Sequence, residues 1–200
     1  HLEIVNIHEV RKSYLKLHEL LTNGNGHEPD FLRGLDDSGW LQHIASLLKG
    51  SLCAAYTLHE HRRSLLVHCS DGWDRTAQVV SLTQLLLDPY FRTITGYCTL
   101  IDKDILAFGH KTSQRLGLDG SEPLGHEWSP ILLQVLDATH QLIRQHPSAF
   151  EFTTDLLLYI ATHAYSGVVR NFREDSEKER MASTAPRTSG GTAASPAPCL

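Results

Sequence analysis

Cys69 and Arg75, six positions apart, are the residues whose types and spacing best fit a chemical reaction. The apolar run at 65–67 precedes them, and apolar residues at helical spacing follow from Val79, which predicts a strand, a tight loop and a helix. Amides at a helix N-terminus and a nearby guanidinium lower a thiol pKa from about 8.5, and they also bind a phosphate dianion. The pattern therefore predicts that Cys69 attacks phosphorus to form a phosphocysteine, while Arg75 and the loop amides bind the phosphate oxygens.

The residues between Cys69 and Arg75 make this pattern more specific than the spacing alone. Residues 68–76 read HCSDGWDRT, and this Gly-Trp-Asp filling resembles the active-site signature of the myotubularin phosphoinositide 3-phosphatases. Other segments resemble that family in the same order, at residues 6–8, 40–44, 87–94, 108–111, 129–134 and 147–152. The resemblance runs from about residue 1 to about residue 180.

The resemblance implies an α/β fold of the cysteine-dependent tyrosine-phosphatase type. Residues 1–173 would be the C-terminal part of that domain, a partial domain that is mostly helical in this fragment. The implied reaction removes the 3-phosphate of phosphatidylinositol 3-phosphate and of phosphatidylinositol 3,5-bisphosphate, with no metal or other cofactor. Two other functions stay open, a protein-tyrosine or dual-specificity phosphatase and a catalytically silent adaptor. The intact Cys69, Asp74 and Arg75 argue against the adaptor, and the partial domain argues for it.

The resemblance also implies roles for individual residues. Cys69 is the nucleophile, Asp74 is the acid that protonates the leaving oxygen, and Arg75 holds the phosphate. The implied substrate-binding residues are Asn6, Ile7, Ser70, Asp71, Gly72, Trp73, Asp74, Arg75, Lys111 and Arg115. Lys111 and Arg115 share one face of a helical turn, and the resemblance implies that this pair binds a phosphate elsewhere on the inositol ring.

Several of these positions have an alternative role. Asn6 precedes a helical stripe, so it is either an N-cap or a contact to the inositol headgroup. Trp73 either packs the loop against the core or touches substrate and the lipid interface. Asp36 and Asp37 are rival acids, because tyrosine phosphatases keep their acid on a separate upstream loop; turn chemistry is the other role for this pair. For Lys111 and Arg115 the alternative is a solvated basic face.

One segment departs from the family pattern. Where the family carries a loop rich in Asp, Asn and His that ends in Asp-Arg-Ser-Pro, residues 116–127 read LGLDGSEPLGHE and residues 127–130 read Glu-Trp-Ser-Pro. Trp128 replaces the arginine, which removes any contact that this arginine would make.

Composition sets the remaining expectations. The 200 residues are 41% hydrophobic and 20% charged, as in an ordinary globular domain, and the net charge of −5 gives no support to nucleic-acid binding. The cysteines, at 53, 69, 98 and 199, match no zinc or disulfide pattern, and a reactive thiol needs a reducing compartment. The reactive thiol favours a cytoplasmic protein. The resemblance implies a peripheral location on endosomal-type membranes, with a phosphoinositide headgroup, a membrane surface and, as oligomers, copies of itself or other family members as partners.

The end of the chain differs in composition. Residues 174–180 are almost all charged, and residues 181–200 are rich in Ser, Thr, Ala, Gly and Pro. Such a segment buries too little apolar surface to offset its ordering entropy, which predicts a disordered tail over residues 174–200. The chain starts with His1 inside a segment that looks packed, so we expect a fragment of a longer protein.

Overall fold

The computed structural model describes residues 2–23, 28–120 and 126–184, and these are mostly helical. The α-helices in these ranges are α1 Ile7–Asn23, α2 Glu28–Ser38, α3 Trp40–His59, α4 Arg75–Leu87, α5 Ile94–Leu100, α6 Thr112–Leu116, α7 Ile131–Gln145, α8 Thr154–Tyr165 and α9 Glu177–Thr184. A π-helical turn, Ile101–Ala107, continues α5, and 3-10 turns cover Pro89–Arg92, Pro147–Ala149 and Arg170–Phe172. Within these ranges, no helix is long and apolar enough to cross a membrane.

Helix α4 lies at the centre of the core. It packs against α3, α7 and the π-helical turn, and Leu82 and Leu85 on it are fully buried. The buried side chain of Gln78 on α4 donates to the carbonyl of Ile131 at 3.2 Å and to the side chain of Gln134 at 3.0 Å. The amide nitrogen of Gln78 is therefore paired, which avoids the cost of an unpaired donor in the core. The helix that follows the 69–75 loop is therefore held rigidly by the core.

The segment predicted as a strand, residues 64–68, is extended in the structure but is not a strand. No described residue pairs with it, and a strand requires a neighbour to take its backbone hydrogen bonds. Leu65 and Leu66 are 41% and 85% exposed, although both are apolar. The described part of the chain is thus mostly helical and contains no sheet, and the α/β fold stays a prediction.

The sequence predicts a loop over residues 22–37, because it holds the helix breakers Gly24, Gly26, Pro29 and Gly34, but Glu28–Ser38 form helix α2. Pro29 falls in the first turn of α2, where a missing N–H is tolerated. Gly34 gives α2 close contact with α1, because a Cβ atom at that position would lie 2.7 Å from Leu20. Packing against α1 therefore overrides the local helix-breaking signal.

The predicted tail also differs from the structure over its first residues. Helix α9 spans Glu177–Thr184, and the side chain of Arg180 is buried. Its guanidinium donates to the carbonyls of Leu106, Asn171 and Glu174, so these contacts order a segment that composition alone marked as disordered. Residues 185–200 of the predicted tail lie outside the described residues.

Trp128, which stands where the resembling family has an arginine, lies in an aromatic cluster. Its ring meets Tyr14 edge-on at 5.6 Å between centroids, and Tyr14 meets Trp40 in the same way at 5.8 Å. Trp128 is 9% exposed. The cluster joins α1, α3 and the segment before α7.

We expect Trp128→Ala to lower the free energy of unfolding by about 3 kcal/mol, because it leaves a cavity among buried rings. Urea denaturation of the variant and the wild type measures this difference. Trp73→Ala is the matched control, since Trp73 is 38% exposed and its loss should leave stability within about 1 kcal/mol. Equal losses in both variants would contradict the buried role of Trp128.

Candidate active site

The 69–75 loop turns back on itself so that a backbone amide meets the cysteine sulfur. The N–H of Gly72 donates to Sγ of Cys69 at 3.2 Å. Gly72 has φ of +84°, a left-handed conformation that side chains with a Cβ rarely adopt. A glycine at this position therefore suits the backbone conformation that the turn of the loop requires.

The environment of Cys69 favours its thiolate. Partial burial raises the pKa of the thiol, but hydrogen bonds to the sulfur from the Thr76 side chain and from the amides of Gly72, Thr76 and Asp71 outweigh burial, so the net pKa is lowered. The Thr76 hydroxyl is buried and makes no hydrogen bond of ordinary geometry within the described part of the chain, so among these groups the amide of Gly72 makes the well-formed bond to the sulfur. Cys69 is therefore activated at the N-terminus of α4, as a nucleophilic cysteine must be.

Arg75, the first residue of α4, reaches back across the loop. Its Nη2 donates to Oγ of Ser70 at 3.1 Å, and that hydroxyl donates to Oδ2 of Asp71 at 3.0 Å. These bonds connect the C-terminal end of the loop to its N-terminal end. The guanidinium thus lies over the loop, where a bound phosphate would meet it.

Asp74 is held by two residues from a distant part of the chain. Arg115 donates to both of its carboxylate oxygens, at 2.9 Å and 3.0 Å, and Nδ1 of His110 lies 3.2 Å from Oδ1. Burial raises the pKa of Asp74, but the bonds from His110 and Arg115 outweigh it and lower the pKa to about 2. The carboxyl is therefore ionised at neutral pH in this arrangement.

His110 was not among the predicted site residues. It is buried, and Nδ1 also lies 3.0 Å from the backbone oxygen of Trp73, so His110 fixes two neighbouring residues of the 69–75 loop. The sequence placed it in a segment shared with the resembling family but gave no chemical signal for it. Its contacts with Asp74 and Trp73 join residues that are 36 and 37 positions apart along the chain.

Arg115, which was predicted to bind phosphate, is bonded to two carboxylates in the structure. The side chain is 2% exposed, and besides its two bonds to Asp74 it donates through Nη1 to the carbonyl of Glu127 at 3.0 Å and to the Glu127 carboxylate at 2.9 Å. These bonds raise the pKa of Arg115 in spite of its burial. In the structure, Arg115 is thus a partner of two carboxylates, and whether it contacts substrate stays a prediction.

Most of the predicted site residues meet in one place, which we call the cleft. It has a volume of about 430 Å³ and is lined by Asn6, Ile7, His8, Cys69, Ser70, Asp71, Trp73, Asp74, Arg75, Arg115 and Glu127. Gly72 and Lys111 are the predicted residues that do not line it. Glu127, like His110, is a site residue that the sequence did not single out.

Asn6 has the N-cap role that was one of its two alternatives. Its Oδ1 accepts from the amide of His8 at 3.0 Å and from the amide of Glu9 at 3.2 Å, at the start of α1. Because Asn6 also lines the cleft, the cap leaves its side-chain amide group beside the site. The contact to a headgroup stays a prediction.

Trp73 and Lys111 form a pair at the edge of the loop. Nζ of Lys111 lies 4.9 Å from the centroid of the Trp73 ring, within the range of a cation–π interaction. With more than a third of its surface exposed, Trp73 is not buried in the core. The ring is partly covered, and both alternatives for Trp73 stay predictions.

The rival acids lie elsewhere. Asp36 accepts a hydrogen bond from the side chain of Gln42, and neither Asp36 nor Asp37 lines the cleft. They belong to the end of α2. Asp71 and Asp74 are the aspartates that do line the cleft.

The ion pair of Asp74 makes a testable contribution to stability. Its pKa is lowered from an ordinary 3.8 to about 2 in the fold, so the contribution is present above pH 4 and is lost as the pH falls from 4 towards 2. The lowered pKa corresponds to about 2 kcal/mol. Urea denaturation at pH 5 and at pH 2.5 should show this loss in the wild type and a smaller loss in Asp74→Asn. Equal losses would mean that other carboxyls carry the pH dependence.

Comparison with known proteins gives one consistent result. The family model described as "Myotubularin-like phosphatase domain" matches residues 1–181. The chain is 46% identical over 179 residues to the phosphatidylinositol-3-phosphate phosphatase MTMR7 of Pongo abelii, which covers 89% of this chain and 27% of that protein. It is 46% identical over 178 residues to the phosphatidylinositol-3,5-bisphosphate 3-phosphatases MTMR8 of Gallus gallus and MTMR6 of Homo sapiens, covering 88% of this chain and 28% of each.

The chain thus spans little more than a quarter of the length of these curated relatives. The match covers the 69–75 loop, α4 and the segments that contribute Asn6, His110, Arg115 and Glu127 to the site. The length of the match and the degree of identity are sufficient to assign the family. The chain belongs to the myotubularin-like phosphatases.

Proposed function

We propose that this protein is a phosphoinositide 3-phosphatase that acts through a phosphocysteine. The observation that carries the proposal is the placement of Cys69, with its lowered pKa, beside Arg75 and Asp74 in one cleft. The names of the relatives, which specify the 3-phosphate of phosphatidylinositol 3-phosphate and 3,5-bisphosphate, support the substrate class.

In the first step the Cys69 thiolate forms a bond to phosphorus while the bond from phosphorus to the inositol oxygen breaks. The guanidinium of Arg75 and the amides of the loop neutralise charge on the phosphoryl oxygens as it is transferred. The electron pair leaves on the inositol oxygen, which takes a proton. In the second step water attacks phosphorus, the sulfur–phosphorus bond breaks, and the thiolate returns.

Asp74 is the residue that we propose for both proton transfers. In the second step its ionised carboxylate can accept the proton of the attacking water. For the first step it must carry a proton, and a bound phosphate dianion raises the pKa of a neighbouring carboxyl by like-charge repulsion. Substrate would therefore oppose the effect of His110 and Arg115, which lower the pKa of Asp74 in the structure.

We also propose that residues 64–68 belong to the sheet of a tyrosine-phosphatase-like α/β fold. The segment is extended, and Leu65 and Leu66 are exposed beside an apolar cavity of about 600 Å³ that reaches Cys69. Pairing with a strand from outside the described residues would cover these side chains. Peripheral binding to endosomal-type membranes from the cytoplasm and assembly with related chains are further proposals.

The reaction class can be tested on the full-length protein with two substrates. Phosphate release is measured from short-chain phosphatidylinositol 3-phosphate and from a phosphotyrosine peptide at equal concentrations. We expect release from the lipid. Release from the peptide alone would identify a tyrosine phosphatase instead, and release from neither would identify a silent adaptor.

A further inference from the structure

The hydrogen-bond donors of Arg115 are directed at carboxylates and a carbonyl. Nε and Nη2 each donate to one oxygen of Asp74, and Nη1 donates to both the carbonyl and the carboxylate of Glu127. The side chain is 2% exposed, which leaves little of the guanidinium open to the cleft that it lines. A second phosphate on the substrate would have to compete with Glu127 for this cation.

Glu127 is well placed for such competition. Its side chain is 55% exposed and lines the cleft together with Cys69 and Arg75. Asp74, Arg115 and Glu127 form one wall of the cleft, and the single positive charge of Arg115 between two carboxylates gives these three side chains a negative sum. A neutral hydroxyl is compatible with such a wall, whereas an added phosphate dianion is repelled.

The predicted set holds two other cations, Arg75 and Lys111. Arg75 lines the cleft and is proposed to hold the phosphate that is transferred, so it is not available to a second phosphate, and Lys111 does not reverse the balance beside Glu127. Nζ of Lys111 lies over the ring of Trp73, and Lys111 is not among the residues that line the cleft. We therefore infer that Glu127 is a specificity-determining residue that favours substrates with a single phosphate on the inositol ring over those with a second phosphate near Arg115. The inference rests on the proposed phosphoinositide phosphatase function and adds a substrate preference to it.

The test compares two short-chain lipids, phosphatidylinositol 3-phosphate and phosphatidylinositol 3,5-bisphosphate, as substrates of the full-length protein. The measured quantity is the ratio of kcat/KM for the bisphosphate to kcat/KM for the monophosphate. Glu127→Gln removes the charge and keeps an oxygen that can accept from Arg115, so we expect the ratio to rise about three-fold. Glu127→Asp keeps the charge and is expected to keep the ratio closer to that of the wild type.

Glu177→Gln is the matched control. Glu177 also pairs with an arginine, Arg180, at 3.0 Å, and it is similarly exposed, but it lies in α9 and does not line the cleft. We expect this variant to leave the ratio unchanged. A rise in the kcat/KM ratio in Glu127→Gln but not in Glu177→Gln supports the inference.

An unchanged or lower ratio in Glu127→Gln overturns the inference, while activity on the monophosphate in the same assay leaves the proposed function intact. Lack of phosphate release from both lipids by the wild type would be a different result, because it overturns the proposed function and the preference built on it. Binding of the two lipids to Cys69→Ser, measured by calorimetry, gives the same comparison without turnover. When Glu127→Gln is added to Cys69→Ser, bisphosphate binding should strengthen relative to monophosphate binding.

Discussion

Replacing Cys69 with Ser is expected to abolish phosphate release. A serine hydroxyl stays protonated under conditions where the Cys69 thiol is activated, because the bonds from Thr76 and the loop amides lower a thiol pKa that begins much closer to neutrality. We expect a loss of at least about a thousand-fold in kcat. The amides of the loop and Arg75 remain, so the variant should still bind the short-chain lipid in calorimetry.

Cys98→Ser is the control for this substitution. Cys98 is half-buried in α5, burial raises the pKa of its thiol, and it does not line the cleft. Its replacement should leave kcat unchanged. Residual turnover in Cys69→Ser comparable to the wild type would rule out the phosphocysteine route, and a matching loss in Cys98→Ser would point to a general defect in folding.

The second large effect is expected for Asp74→Asn, which removes the group proposed to move protons in both steps. An amide neither gives nor accepts a proton near neutral pH, so we expect kcat to fall by about 10² to 10⁴-fold. The variant also leaves the buried Arg115 with Glu127 as its remaining charged partner. We therefore expect a lower free energy of unfolding as well, by about 2 kcal/mol.

Two measurements separate these effects of Asp74→Asn. Steady-state kinetics at a temperature where the variant is folded give kcat, and urea denaturation gives stability. Asp36→Asn changes the rival acid, which bonds Gln42 away from the cleft, and should alter neither quantity by much. A larger fall in kcat for Asp36→Asn than for Asp74→Asn would identify Asp36 in α2 as the acid and refute the assignment of Asp74.

The loop and the helix that follows it could be predicted from the sequence because their signals are local. Cys69, Gly72 and Arg75 lie within seven residues, and the apolar spacing of α4 begins directly after them. The N-cap role of Asn6, one of its two predicted alternatives, has a local signal as well, since its side chain bonds the amide two residues onward. Short-range geometry of this kind depends little on the rest of the chain.

The partners of Asp74 could not be predicted because they come from 36 and 41 positions away. The family resemblance pointed to Arg115 as a phosphate ligand, and nothing in the residue types showed its bonds to two carboxylates. Helix α2 and the ordering of Arg180 were missed for a related reason. In each case a tertiary contact decides a conformation that local composition disfavours.

The position of the cleft wall has a consequence for how the protein folds. Oγ of Ser129 donates to the carbonyl of Ile7 at 2.9 Å, and Arg11 donates to the carbonyl of His126 at 2.8 Å, contacts that span 122 and 115 positions. Closing loops of this length carries an entropic penalty that local contacts do not have. The 69–75 loop can form early with α4, whereas the cleft wall beside it forms only when distant parts of the chain meet. We therefore expect the cleft to be completed during synthesis only after residue 129 has left the ribosome.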